Sequence, residues 1–212
     1  MAQASFPFEN VDTTEAQYSA LFTNLQETGV KGVPGDTNLL VTGDSSGMQV
    51  RVAAGEAFVR GFYYQNTSQA TVTVATAPTT GQSRIDSIVL TLDTTANSIL
   101  LAVVQGTAAV TGSQVAPTLT QTTTGIYQLL LANVLVTGGV STITAGNVTD
   151  IRTFMSGRFG IWTTVTRPTT LTANQTIGYN STLGWVEMWN GSAWVSLAAT
   201  TDFTPSFLLM GA

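Results

Sequence analysis

The spacing of apolar side chains changes period once along this chain, and the change separates a helix from everything that follows. Tyr18, Leu21, Phe22 and Leu25 recur at the three- and four-residue steps that set one stripe on a helix. Asp12 stands where a cap belongs, Glu15 follows three positions on, and Gly29 supplies a stop. The pattern predicts an amphipathic helix of about four turns over residues 13–28. Its stripe needs a surface to bury it, either the chain's own domain or a neighbouring subunit or larger assembly.

From Thr37 onward the period is two. Met48, Val50 and Val52 alternate with Gln49 and Arg51, and residues 56–64 and 71–75 continue as short strands. Residues 85–92, 99–104 and 129–136 are apolar on both faces, as in strands covered on both sides inside a sandwich or at a subunit contact. Residues 93–97 join the first two of these as a hairpin. The polar stretch 106–125, rich in Thr, Gln and Pro, is too long for a tight turn and reads as an extended arm or surface loop.

The last alternating segment runs from Gly184 to Leu197 and holds three of the four tryptophans around Asn190-Gly191. Asn-Gly between alternating runs predicts a two-residue hairpin turn. That turn would set Trp189 opposite Ser192, Glu187 opposite Trp194 and Trp185 opposite Ser196. All three indoles then share one face, and Val186, Met188, Ala193, Val195 and Leu197 share the other, enough to seat the hairpin on a core. The tryptophan face must be buried by another part of the chain, another subunit or a ligand.

The predicted fold is all-β, with an N-terminal amphipathic helix, a central β-sandwich and a small C-terminal β-hairpin module, bounded at residues 1–36, 37–157 and 158–212. The boundary near Gly157 comes from a break in pattern over residues 150–160, after which Arg167-Pro168 opens the last piece; Arg152, Arg158 and Arg167 fall within about sixteen residues across it. That piece is too short for a robust core of its own, so it is expected to lean on the preceding domain or on oligomerisation.

Composition sharpens this picture. Only 9% of residues are charged while 43% are hydrophobic, and threonine, a β-branched residue suited to a half-exposed strand, covers much of the remaining surface. A net charge of −5 with seven Lys and Arg argues against a nucleic-acid partner, which requires clustered cations. The N-terminal residues lack a basic start followed by an apolar run, and no stretch approaches about 18 uninterrupted apolar residues, so neither a secretion signal nor membrane insertion is expected. Asn-X-Ser/Thr triplets at Asn66, Asn147, Asn174, Asn180 and Asn190 are read as turn asparagines.

Candidate chemistry is sparse. With no His and no Cys, the commonest general base, the thiol nucleophile, most transition-metal ligand sets and any disulfide framework are excluded. Asp86 and Asp93 lie at opposite ends of one predicted strand, about 23 Å apart, too far for a glycosidase acid/base pair. Glu187, Asp202 and the early acids form no recognisable site or calcium loop. The spacing of two in Arg84/Asp86 and Asp150/Arg152 places each pair on one strand face, where structural ion pairs are expected. No enzyme activity, cofactor or metal is expected.

Several segments then acquire a joint meaning. The runs TTEAQYSALFTNLQETGV after a Phe-Pro-Phe start, MQVRVAAGEAFVRGFYY, RIDSIVLTLDTTANSILLAVVQGT, GIYQLLLANVLV and VTDIR appear in an order that resembles minor tail proteins of bacteriophages infecting actinobacteria, over residues 5–155. The run RPTTLTANQTIGYNSTLGWVEMWNGSAWVSL is similar to a small module found at the ends of many phage fibre and tail proteins. The resemblance implies a virion structural protein, made in the bacterial cytoplasm without a signal peptide and assembled as a homotrimer. Its N-terminal part would dock on other tail or baseplate proteins and its distal part would face the host. Long repeats and collagen-like stretches are missing, which suits a short fibre, a tip or a connector. On this reading Tyr18, Leu21, Phe22 and Leu25 form the docking helix. Trp185, Trp189, Trp194 and Tyr179 are the candidate contacts to a host-surface glycan or to a neighbouring subunit. A pure assembly, connector or capsid-fibre protein without receptor contact is the alternative, and a free carbohydrate-binding domain a weaker one.

Overall fold

Residues 12–155, 159–168 and 176–197 are described in the computed structural model of the chain, and the period-two stretches among them fold as strands. The chain divides into two compact units, Met1–Ser156 and Gly157–Ala212. The first holds α1 (Glu15–Leu25), β1 (Gly29–Val30), β2 (Val41–Thr42), β3 (Gln49–Val52), β4 (Gly55–Val59), β5 (Phe62–Asn66), β6 (Ala70–Thr73), β7 (Gln82–Asp93), β8 (Ser98–Val104), β9 (Ala109–Val110), β10 (Ile126–Thr137) and β11 (Val148–Asp150). The second holds β12 (Phe159–Trp162), β13 (Ile177–Asn180), β14 (Trp185–Trp189) and β15 (Trp194–Ser196). The fold is all-β, with a single α-helix near its N-terminal end and one 3-10 turn at Ala145–Asn147 among the described residues. Gly157, Arg158, Asn174, Asp202 and the Phe-Pro-Phe start lie outside them.

The first unit is built on a large antiparallel sheet of order β11-β10-β7-β8, with β9 continuing along β7 past the end of β8. Ile88, Leu90 and Leu92 of β7 and Leu129, Leu131, Val134 and Val136 of β10 form one buried layer of the core. The opposing layer is not the single sheet expected of a sandwich but two three-stranded sheets, β1-β4-β5 and β2-β3-β6. They contribute Val30, Val41, Val50, Val52, Ala57 and Val59 to the same core. The split has a local cause. Between β3 and β4, Ala53 N–H bonds the Leu40 carbonyl and Leu39 N–H bonds the Ala54 carbonyl, and Gly55 comes so close to the Asn38 and Leu39 backbone that a Cβ would not fit.

β7 is buried on both faces, with Ser87 and Val89 at 1% and 0% exposure opposite the core side. The 106–125 arm is tied to this sheet at both ends. Ser83 Oγ donates to Gln114 Oε1 at 2.9 Å, and Thr120 and Gln128 exchange bonds of 2.8 and 2.9 Å. β8 departs from the two-sided expectation, because it is an edge strand and Leu100 is 63% exposed. The 93–97 hairpin is present, with Asp93 paired to Ser98 and Asp93 Oδ1 accepting from Thr95 and Ala96 N–H. Residues 56–64 are not one strand but the β4–β5 hairpin, turning through Arg60 at φ 50° and Gly61 at φ 78°. Positive φ at both turn positions is the hairpin geometry that Asn-Gly usually supplies, here adopted by Arg-Gly.

Both spaced-by-two charge pairs are structural. Arg84 Nε meets both Asp86 carboxylate oxygens at 2.9 and 3.0 Å, and Arg84 also donates to the Thr76 and Ala75 carbonyls while Asp86 accepts from Gly106 N–H. Arg152 holds Asp150 side-on, Nε to Oδ1 at 2.8 Å and Nη2 to Oδ2 at 2.7 Å, and donates to the carbonyls of Asp36 and Asn38. The buried charges Arg84, Asp86 and Arg152 are thus each paired and hydrogen-bonded, as burial of a charge requires, while Asp150 stays partly open to solvent.

Candidate functional site

The helix is shorter than expected and differently capped. Thr14, in extended conformation, accepts Gln17 N–H on its hydroxyl while Gln17 Oε1 accepts Thr14 N–H at 2.8 Å, so the capping box is Thr14–Gln17 and not Asp12–Glu15. Gln26 is already extended, and Gly29 does not end the helix but opens β1, whose pairing with β4 draws the chain out.

α1 rests on its domain through its small polar side. Ser19 Oγ donates to the Arg60 carbonyl at 2.6 Å, and a Cβ at Gly61 would collide with the Ser19 carbonyl, so only glycine admits the helix at this distance. A groove of about 500 Å³ lies along it and one of about 460 Å³ meets only its first residue, both lined in part by Glu15, Phe62 and Thr94. Tyr18, Leu21, Phe22 and Leu25 are 47%, 37%, 40% and 69% exposed, and no residue of the helix is buried. The apolar stripe faces away from the domain that carries it.

In the second unit the sheet order is β12-β13-β14-β15, with β12 and β13 parallel and the others antiparallel. The tryptophan hairpin differs in register from the expectation: Trp189 pairs with Trp194, Met188 with Val195 and Glu187 with Ser196. The cause is the Asn190 side chain. Its Oδ1 accepts from Ser192 and Ala193 N–H at 3.0 and 2.9 Å and widens the loop to four residues. A shift of two keeps the strand parity, so Trp185, Trp189 and Trp194 still share one face. Tyr179 does not join them, since its register partners Ile161 and Val186 place it on the opposite face.

The two faces exchange their expected roles. The face of Val186, Met188 and Val195, expected to seat the hairpin, also carries Phe159, Ile161 and Tyr179 at 60%, 77% and 38% exposure, and Leu197 is 46% exposed. Core packing instead lies on the tryptophan face, built around Glu187 at 1% exposure. Trp162 lies over Gly160 and Gly178, where a Cβ would overlap its ring, and donates its indole Nε1 to Glu187 Oε1 at 2.7 Å. Asn180 Nδ2 donates to the same oxygen at 2.8 Å. Arg167 reaches both carboxylate oxygens, Nε to Oε1 at 2.8 Å and Nη2 to Oε2 at 2.6 Å, with its guanidinium over the Trp194 ring. Trp194 packs against Trp162 and Trp189 at centroid distances of 5.2 and 5.8 Å, while Trp185 remains 40% exposed.

The paired Arg167 guanidinium, aided by the Trp162 and Asn180 donors, holds the Glu187 carboxyl down at about 2 against the opposing effect of burial. An ionised carboxylate with its oxygens occupied by four donors organises a core and offers no proton at neutral pH. Sequence reasoning left Glu187 among scattered acids, gave Trp162 no role, took Arg167 as a boundary marker and took Asn180 as a turn asparagine, a role it does fill by accepting Thr182 and Leu183 N–H on Oδ1. A signal was present: an acid inside a tryptophan-bearing strand face demands a cation, and Arg158 and Arg167 are the cations of this unit. Among the described residues no group of three or more His, Cys, Asp or Glu is placed to hold a metal ion, and no helix is long and apolar enough to cross a membrane. Comparison of the chain with protein-family models, with curated proteins and with solved structures finds no match in any of the three.

Proposed function

We propose that this protein is a non-enzymatic structural component of a bacteriophage tail, a minor tail protein, short fibre or tip that attaches to the tail or baseplate and contributes to host-surface attachment. The observation that carries the reading is the outward apolar stripe of α1: Tyr18, Leu21, Phe22 and Leu25 project from a domain that the helix touches through Ser19. A stripe of this kind on a sparsely charged chain is a surface made to be covered in an assembly. The order of sequence motifs supplies the phage context. A homotrimer, with the helices at its proximal end, covers apolar surface that one copy leaves open. Mass spectrometry and antibody labelling of purified particles test the location, and light scattering tests the trimer. Absence of the chain from particles, or a stable monomer at micromolar concentration, refutes the corresponding part.

The second reading, a connector or capsid-fibre protein without receptor contact, is favoured by the packing of Trp162, Trp189 and Trp194 around Glu187 and Arg167. Indoles engaged in this way leave Trp185 as the exposed ring of that face. Particles stripped of the protein separate the two readings. Loss of adsorption without loss of assembly supports host attachment, and loss of assembly supports the connector.

A further inference from the structure

Alternation along β4 sends Ala57 and Val59 into the core and turns Glu56 and Phe58 outward, where the register sets them beside Gln65 and Tyr63 of β5. The Phe58 and Tyr63 rings meet edge to face with centroids 5.5 Å apart, so Tyr63, 52% exposed, is propped by a half-buried neighbour. On the far side of Phe58 the pairing places Gly29, which adds no side chain. The next row along the strands is polar. Lys31 Nζ meets Glu56 Oε2 at 2.6 Å, and Gln65 Nε2 lies 3.5 Å from Glu56 Oε1. β5 is an edge strand, and beyond it Tyr63 and Gln65 border the 460 Å³ groove, which Phe62, Asn97 and Ser98 also line.

We propose that this surface binds a neutral sugar, with one pyranose ring seated on Tyr63 and its hydroxyls bonded to Glu56, Lys31 and Gln65. A pyranose presents an apolar C–H face and a rim of hydroxyls. Tyr63 and Phe58 match the first, and the polar row, about 7 Å away along the strand, matches the second. The carboxylate accepts from hydroxyls while the ammonium and the amide donate. An anionic sugar is disfavoured because Glu56 already neutralises Lys31 and the chain carries a net charge of −5. The groove beyond β5 has room for the next unit of a glycan. A single shallow site of this kind is weak, and several copies on one particle raise its effective strength. The biological source of the sugar, a host-surface glycan, rests on the attachment reading above.

The test is calorimetric titration of the purified full chain with neutral oligosaccharides built from glucose, galactose, mannose and N-acetylglucosamine. Saturable binding to at least one is expected, weakened roughly tenfold by Tyr63→Ala, largely retained by Tyr63→Phe, reduced by Glu56→Gln and unchanged by Trp185→Ala. The melting temperature of each Tyr63 and Glu56 variant is measured alongside and is expected to stay at the parent value, so a loss of binding is not a loss of fold. Binding to no member of the panel overturns the proposal, as does binding that survives Tyr63→Ala and is lost in Trp185→Ala. Particle composition, which decides whether the protein belongs to a tail, is independent of either outcome.

Discussion

Trp162 donates its indole N–H to the Glu187 carboxylate at 2.7 Å across 25 positions of sequence, and this bond joins the first strand of the small unit to its third. The carboxylate is the common acceptor for Trp162, Asn180 and Arg167. Glu187→Ala would leave three sets of donors, one of them a cation, without an acceptor. The expected cost is about 3–5 kcal/mol, enough to unfold so small a sheet. Glu187→Gln, which keeps the shape and one acceptor oxygen, should cost less. Calorimetry of the full chain checks both, and a transition unchanged in Glu187→Ala refutes the network's role.

The same carboxylate sets a pH dependence. Its folded-state pKa is depressed from 4.5 to about 2, chiefly by the Arg167 hydrogen bonds. A depressed acid stabilises the fold fully above its unfolded value and loses that contribution as pH falls through the folded one. The melting temperature of the small unit should therefore be level above about pH 5 and decline between about pH 4.5 and 2. Glu187→Gln should remove that part of the decline. Parallel pH–melting profiles of parent and variant, if identical in shape, contradict the assignment.

The tryptophans are expected to separate by packing. Trp194 touches two other indoles and lies under the Arg167 guanidinium, so Trp194→Ala should cost about 3–5 kcal/mol. Trp185, 40% exposed, should cost far less when truncated, with the melting temperature shifted by only a few degrees. Equal losses in the two variants would place both rings in the core.

Gly178 offers a test of how Trp162 is seated. A Cβ there would meet both the Trp162 ring and the Gly160 carbonyl, and neither is the loose end of a flexible chain. Gly178→Ala should cost about 1–3 kcal/mol through overpacking. It should also shift the tryptophan emission as the indole is displaced from Glu187. Gly184→Ala is the contrasting variant: nothing lies within 4 Å of its added Cβ, so any cost comes from the positive φ of 78°. Unaltered emission in Gly178→Ala would mean that the ring does not rest on the glycines.

Periodicity carried most of the strand layout because it reports which side chains must alternate between core and solvent. Residues 85–92 and 129–136 are the central strands of the large sheet for that reason. Turn chemistry was less legible. Arg60-Gly61 makes the hairpin turn without a preferred Asn, whereas Asn190-Gly191 has the preferred pair yet spends its side chain widening the loop. Parity survived that error, so the shared face of the three indoles was readable while its neighbours were not. Which face of β14 becomes the core depends on Gly160 and Gly178 making room for Trp162, a long-range fit that local alternation does not encode. The direction of the α1 stripe is hidden for a similar reason: the sequence shows an apolar stripe, but the close approach of Ser19 to Gly61 decides that it points outward.

That outward stripe lets folding be tested apart from the proposed assembly role. In the single chain Leu21 and Phe22 are 37% and 40% exposed and belong to a helix with no buried residue, so Leu21→Ser combined with Phe22→Ser should change the stability of the β-rich unit by less than about 1 kcal/mol. The same pair removes the apolar centre of the proposed docking surface, so on the tail-protein proposal incorporation into particles should fall sharply, and light scattering should show dissociation if the helices also hold the copies together. Gly61→Ala gives an independent route to the same surface. Its Cβ collides with the Ser19 carbonyl, and its φ of 78° is strained for alanine, so the helix should be pushed off its seat while keeping its stripe intact. If both variants enter particles at the parent level with the β-rich unit still folded, α1 is not the dock; if Leu21→Ser/Phe22→Ser alone is excluded, the stripe itself makes the contact and its exact seating does not matter.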